Sequence, residues 1–132
     1  MLPFAAPMIS LVIPTYKEAS VIQETLRRAA GVLQATGEEF ELIVVDDASA
    51  DGTAELVEEL NSELPVRVLR RPGRLGLATA VVDGWGIARG DVLGIMDADL
   101  QHPPETLGAL VTALRAKNAD LAVASRDRKS VV

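Results

Sequence analysis

Short apolar runs alternate with longer amphipathic stretches along this chain. Ile9-Ser10-Leu11-Val12-Ile13 has the length and branched content of a buried strand, closed by Pro14. Val21, Ile22, Leu26, Ala29, Ala30 and Leu33 then recur at helical spacing. They predict a helix over about residues 18–34, in a region that Gly37 ends. Glu41-Leu42-Ile43-Val44-Val45 predicts a second strand, running straight into Asp46-Asp47. A helix over about 53–61 follows, with Ser49 or Asp51 as its N-cap. Residues 66–69 read as a third, shorter strand. The loop Arg71-Pro72-Gly73-Arg74-Leu75-Gly76 leads into a helix over about 77–88. Gly90-Asp91 turns into a fourth strand, 92–96. Pro103 and Pro104 suit the first turn of a helix reaching about 117. Residues 121–124 form a fifth strand.

This β-α-β-α order predicts an α/β fold, a mainly parallel sheet with helices on both faces. The nearly continuous apolar strands agree, since parallel strands are buried on both sides. Ligands of such sheets bind beyond the carboxyl ends of the strands. Polar residues gather there: Pro14-Thr15-Tyr16-Lys17-Glu18, Asp46-Asp47, Arg70-Arg71, Asp97-Ala98-Asp99 and Ser125-Arg126.

Composition narrows the picture. The 132 residues fit one domain, taken as 9–126 behind an N-terminal tail of 1–8. A hydrophobic content of 48% supports a real core rather than disorder. A formal charge of -6 argues against nucleic-acid binding by a broad basic surface and against a polybasic lipid-binding face. The chain has no cysteine, which excludes disulfides and zinc–thiolate sites. No run approaches the roughly 20 apolar residues that span a bilayer. The first eight residues lack the basic start of a signal peptide. A cytoplasmic location is the expectation.

The chemistry concentrates at Asp97 and Asp99. In an extended chain they share a face, and like charges held close repel. A hard divalent cation, Mg²⁺ or Mn²⁺, relieves that repulsion and brings phosphate with it. The competing reading is a pair of solvated aspartates in a turn.

Three blocks, Ile13 to Glu18, Val45 to Thr53 and Met96 to Glu105, resemble the family 2 glycosyltransferases. The string Asp97-Ala98-Asp99-Leu100-Gln101-His102-Pro103-Pro104-Glu105 is most similar to the polyprenyl-phosphate (dolichol-phosphate) mannosyltransferases. The resemblance covers about residues 9–126. It implies a Rossmann-like GT-A fold, C-terminally truncated, carrying the nucleotide-sugar-binding portion only. It implies inverting transfer of a hexose, mannose from GDP-mannose, to a polyprenyl phosphate at the cytoplasmic membrane face. Tyr16-Lys17-Glu18 departs from the family's usual Tyr-Asn-Glu, with Lys17 facing solvent.

The resemblance also implies roles. Asp97, Asp99 and Gln101 are the expected metal ligands and catalytic residues, and Asp97-Ala98-Asp99 the segment on the donor. Gln101 shares the parity of the two aspartates; its alternative is a residue on the approach to a helix. His102 has the opposite parity and reads as a backbone or solvent contact. Pro14, Tyr16 and Glu18 form a nucleoside wall, with Tyr16 alternatively a plain core aromatic. Of Asp46 and Asp47, the resemblance favours Asp47, with the backbone of Val45, as the base or ribose contact. Arg126 would contact a donor or acceptor phosphate. Arg70, Arg71 and Arg74 read either as a phosphate cradle or as a solvated basic loop. Trp85 reads as core, and Asp83 and Asp91 as surface and turn residues.

Two other functions compete: another family 2 transferase, building a polysaccharide or moving glucose or aminoarabinose to lipid, and a non-catalytic nucleotide- or metal-binding module. The final string Asp127-Arg128-Lys129-Ser130-Val131-Val132 is expected to be non-native. It can be encoded by GAT CGG AAG AGC GTC GTG, the start of a common sequencing adapter. Sequencing of the gene is expected to return those codons, and different codons there refute the assignment. Weak or no sugar transfer by the purified chain is expected with it; robust transfer contradicts that.

Overall fold

Residues 6–99, 104–116, 122–124 and 129–131 are described in this computed structural model, with side chains at 8–99 and 104–115. Four strands, β1 (Ala6–Thr15), β2 (Glu39–Asp46), β3 (Val66–Arg70) and β4 (Gly90–Ile95), form a parallel sheet in the order β3-β2-β1-β4. Helices α1 (Ile22–Ala35), α2 (Thr53–Glu58), α3 (Leu77–Gly86) and α4 (Thr106–Ala116) connect and cover it. The parallel, helix-linked α/β arrangement is the one that the alternation of runs predicts.

Side-chain parity divides the core in two. Ile9, Leu11 and Ile13 of β1 join Leu42 and Val44 of β2 on one face. There they pack against Leu26 and Leu33 of α1, Val57 of α2 and Val111 of α4. Val12, Ile43 and Val45 point the other way, under Ala80 and Trp85 of α3. Burying each large aliphatic side chain contributes about 1.5–3 kcal/mol. Trp85 is therefore a half-buried core residue, as expected, with its ring N–H toward the Gly94 carbonyl at 3.4 Å.

Several boundaries differ for physical reasons. β1 continues past Pro14 to Thr15. The Val12 carbonyl accepts the Met96 N–H, and the Thr15 carbonyl accepts the Asp47 N–H, so alternate residues address β4 and β2. Pro14 turns its nitrogen toward β4 beyond the last β1–β4 pair, Val12 with Ile95, where no ladder donor is needed. α1 begins at Ile22 rather than near 18, because Lys17 adopts a left-handed φ of 58° and the chain bends there. Residues 16–18 are thereby left outside the helix. Gly52, with φ 89°, caps α2. Of the two expected caps, Asp51 accepts the Thr53 N–H at 3.1 Å while Ser49 is engaged elsewhere.

The fifth strand is a correction. β5 (Ala122–Ala124) pairs antiparallel with β6 (Lys129–Val131) and not with the parallel sheet. A short connection suffices for antiparallel pairing, and this three-residue strand finds its partner a few residues along the chain.

At the amino end of the sheet, Glu41 fixes where β4 starts. Its buried carboxylate accepts the Ser10 hydroxyl and the Arg89 N–H, each at 2.7 Å, and Ser10 Oγ accepts the Gly90 N–H at 2.8 Å. Asp91, expected to be a simple turn residue, accepts the Met8 N–H and pairs with Arg115. Among the described residues, no helix is long and apolar enough to cross a membrane.

Gly84 sets how closely α3 approaches the sheet. A Cβ there would lie 2.8 Å from both Val12 γ-carbons. Gly84→Val is expected to destabilise the fold by about 1–3 kcal/mol, read as a lower urea midpoint. An unchanged midpoint would show that α3 shifts freely.

Candidate functional site

β2 ends in two aspartates because two neighbouring loops need acceptors there. Asp46 is 2% exposed. Its Oδ1 accepts the Thr15 and Ser49 hydroxyls, both at 2.7 Å, and its Oδ2 accepts the Ser49 N–H at 3.0 Å. These bonds tie the end of β1 to the loop after β2.

Asp47 faces the β3–α3 loop. Arg71 grips it with two bonds, Nε to Oδ1 at 2.6 Å and Nη2 to Oδ2 at 3.0 Å. The N–H groups of Leu75 and Gly76 also donate to Oδ2. The Arg71 guanidinium is only 4% exposed, and its remaining donors reach the Gly76 carbonyl, Thr79 Oγ1 and Asp83 Oδ2. Gly76 takes a φ of 101°, a conformation that a side chain would strain. Burial pushes the Asp47 carboxyl up, but the bonds from Arg71, Gly76 and Leu75 outweigh it and leave it below the ordinary range. Its bond to Asp47 likewise holds Arg71 charged.

The β1–α1 loop is fastened to the β2–α2 loop by three backbone donors. Lys17 N–H bonds Ser49 Oγ at 2.8 Å, Glu18 N–H bonds Thr53 Oγ1 at 3.0 Å, and Ala19 N–H bonds Asp51 Oδ2 at 3.2 Å. Lys17 and Ala48 both carry left-handed φ values, 58° and 55°. Such backbone persists only where surrounding contacts determine it, and it gathers at functional sites.

The β4 loop is anchored through its middle. Ala98 is buried, and its carbonyl accepts the Thr25 hydroxyl from α1 at 2.8 Å. Asp97 and Asp99 on either side are exposed. β4 stops at Ile95, so the pair lies beyond the strand, with Asp99 in a turn. Burial, followed by the charges of Asp99, Asp51 and Asp97, raises the Glu18 carboxyl. Glu18 thus shares one anionic field with both aspartates. Tyr16, half-buried, meets the Arg74 guanidinium 4.2 Å from its ring centre and the Lys17 ammonium at 5.3 Å.

Of the expected site residues, Tyr16, Glu18, Asp97, Ala98 and Asp99 gather at the carboxyl edge, with Pro14 half-buried at its base. Gln101 and Arg126 lie outside the described residues, as does His102. The Val45 side chain packs the core under α3, and the contact expected of Val45 is one of its backbone. Asp46 and Asp47 are buried, and their carboxylates bond the protein's own loops. The solvated-loop reading of Arg71 is corrected, since it is buried on Asp47, and Arg70 pairs with Glu55 and Glu58.

Sequence reasoning missed Thr25, Thr53, Ser49 and Asp83 as positioning groups. An arginine directly after an apolar strand, with acidic residues on two neighbouring segments, was the available signal for the Asp47–Arg71–Asp83 cluster.

Asp97 and Asp99 offer hard oxygen donors suited to Mg²⁺ or Mn²⁺. Among the described residues, no group of three acidic or histidine side chains converges on one ion. Two carboxylates are a donor set for a cation whose remaining ligands are substrate oxygens and water.

The family described as glycosyl transferase family 2 matches residues 10–132. A dolichol-phosphate mannosyltransferase of Pyrococcus furiosus is 45% identical over 118 residues, covering 89% of this chain and 33% of the relative. An undecaprenyl-phosphate 4-deoxy-4-formamido-L-arabinose transferase of Pseudomonas fluorescens is 37% identical over 115 residues, covering 84% and 33%. The mannosyltransferase PcManGT of Pyrobaculum calidifontis, solved with GDP-Man and Mn²⁺, superposes with a TM-score of 0.67 at 30% identity, covering 83% of this chain and 34% of that one. The chain spans about a third of the length of these relatives.

Replacing Arg71 by Met strands the buried Asp47 charge and is expected to cost about 3–5 kcal/mol in urea denaturation. A loss under about 1 kcal/mol would show the pair to be dispensable. The depressed Asp47 carboxyl stabilises the fold above its unfolded pKa, and that contribution is lost as pH falls through the folded value. Asp47→Asn should therefore flatten the acid limb of the stability profile. An acid limb identical to wild type would contradict this.

Proposed function

This chain belongs to glycosyl transferase family 2, and we propose that its strand-end site holds the nucleotide-sugar donor for inverting hexose transfer to a polyprenyl phosphate. One observation carries the reading. Two exposed carboxylates, Asp97 and Asp99, share the carboxyl edge of a parallel sheet with the Tyr16–Glu18 loop. The names of the relatives support a polyprenyl-phosphate acceptor. The complex of PcManGT with GDP-Man and Mn²⁺ supports a GDP-mannose donor and a divalent cation.

In this reading Asp97 and Asp99 hold a Mg²⁺ or Mn²⁺ ion, with Gln101 as the further ligand that the resemblance implies. When bound, the ion supplies charge neutralisation for the departing nucleoside diphosphate. Tyr16 and Glu18 line the nucleoside, and Arg126 meets a phosphate. Inversion requires in-line attack on the anomeric carbon from the face opposite the leaving group. A phosphate acceptor is already anionic at pH 7 and attacks without a general base, whereas a hydroxyl acceptor would require a carboxylate to take its proton. Ala98, anchored through its carbonyl to the Thr25 hydroxyl, lies between the two aspartates. Transfer takes place at the membrane surface where a polyprenyl phosphate resides.

Calorimetric titration of the chain with GDP in the presence and absence of Mn²⁺ tests the reading. Metal-dependent GDP binding, weakened at least about tenfold in Asp99→Ala, is expected. Preference for UDP over GDP would move the donor to another sugar nucleotide. Absence of binding by either nucleotide would refute a donor site here.

A further inference from the structure

Three arginines lie at the end of β3 and just beyond it, and the structure separates their roles. Arg70 is bound by Glu55 and Glu58 at 3.1 and 2.6 Å. Arg71 is buried with its donors spent on Asp47, Asp83, Thr79 and Gly76. Arg74 is exposed and, among the described residues, pairs with no carboxylate. Its guanidinium lies instead on the Tyr16 ring, 4.2 Å from the centre. The backbone beside it is fixed, since the Leu75 and Gly76 N–H groups bond Asp47. A cation is therefore held over the first residue of the β1–α1 loop with no carboxylate paired to it among the described residues.

We infer that Arg74 binds the diphosphate of the donor, and that Tyr16 is the positioning residue that holds it at the rim until the nucleotide arrives. This rests on the reading that the site takes a nucleoside diphosphate. A stack of a cation on a half-buried ring is weaker than a charge-assisted bond to a phosphate oxygen, so the diphosphate draws the guanidinium off the ring. A planar, always-charged fork suits two phosphate oxygens at once, which a lysine ammonium matches less well. The Tyr16 ring is uncovered as Arg74 leaves it, so phosphate capture and access to the ring become one event. Lys17, at 5.3 Å from the same ring, is the more distant of the two cations.

The test compares GDP with GMP, which lacks the terminal phosphate, by calorimetry with Mn²⁺ on the 132-residue chain. Arg74→Gln is expected to lower the GDP-to-GMP affinity ratio about tenfold, with Arg74→Lys in between. Tyr16→Leu removes a stack that the diphosphate must break and should raise the ratio rather than lower it. Circular dichroism of each variant confirms that it folds. A ratio within about twofold of wild type in folded Arg74→Gln overturns the inference, even though GDP binding stands. If the chain prefers UDP, the base assignment fails, and the UDP-to-UMP ratio then decides Arg74 in the same way. If wild type binds neither diphosphate, both readings fall.

Discussion

The Asp47–Arg71 pair is the constraint on which the carboxyl edge of this sheet depends. Removing both charges from water is costly, and their attraction alone does not guarantee a return. The surroundings make the arrangement tenable. Asp47 receives two backbone N–H groups besides Arg71, and Arg71 finds Thr79, Asp83 and the Gly76 carbonyl for its other donors. The return is geometric. One carboxylate fixes the direction in which the chain leaves β3, the left-handed turn at Gly76 and the start of α3.

From that node the edge divides its carboxylates by task. Asp46 and Asp47 are buried and hold loops in place. Asp51 fastens the start of α1's loop to α2. Asp97 and Asp99 are exposed beyond β4, and burial together with their field and that of Asp51 raises Glu18. Loops fastened beside exposed carboxylates suit a cation carrying phosphate, because the protein then does not have to reorganise as it binds. Anchors on both sides serve the same end: the Thr25 hydroxyl on Ala98 below, and the Glu41 network at the far end of β4.

Much of this was legible in the chain. Parity predicted the two-faced core, since Ile9, Leu11 and Ile13 must part company with Val12 in any strand. The order of runs predicted the parallel sheet and hence the edge where ligands bind. Other features depended on tertiary partners that no local pattern reveals. The bonds of Asp46 and Asp47 with Thr15, Ser49 and Arg71 are such features. Arg70, Arg71 and Arg74 are chemically alike in sequence, and only Glu55, Asp47 and Tyr16 assign each a different place. The antiparallel partner of β5 was hidden because Lys129–Val131 is short and mixed in polarity.

Paramagnetic broadening of backbone amide signals by Mn²⁺ in the presence of GDP tests most directly the claim that the sheet's carboxyl edge is the donor site. The account predicts the strongest broadening at residues 97–99 and 16–18, with residues 38–40 at the amino end of β2 unaffected. Broadening centred on the amino end, or spread evenly over the acidic surface, would contradict it.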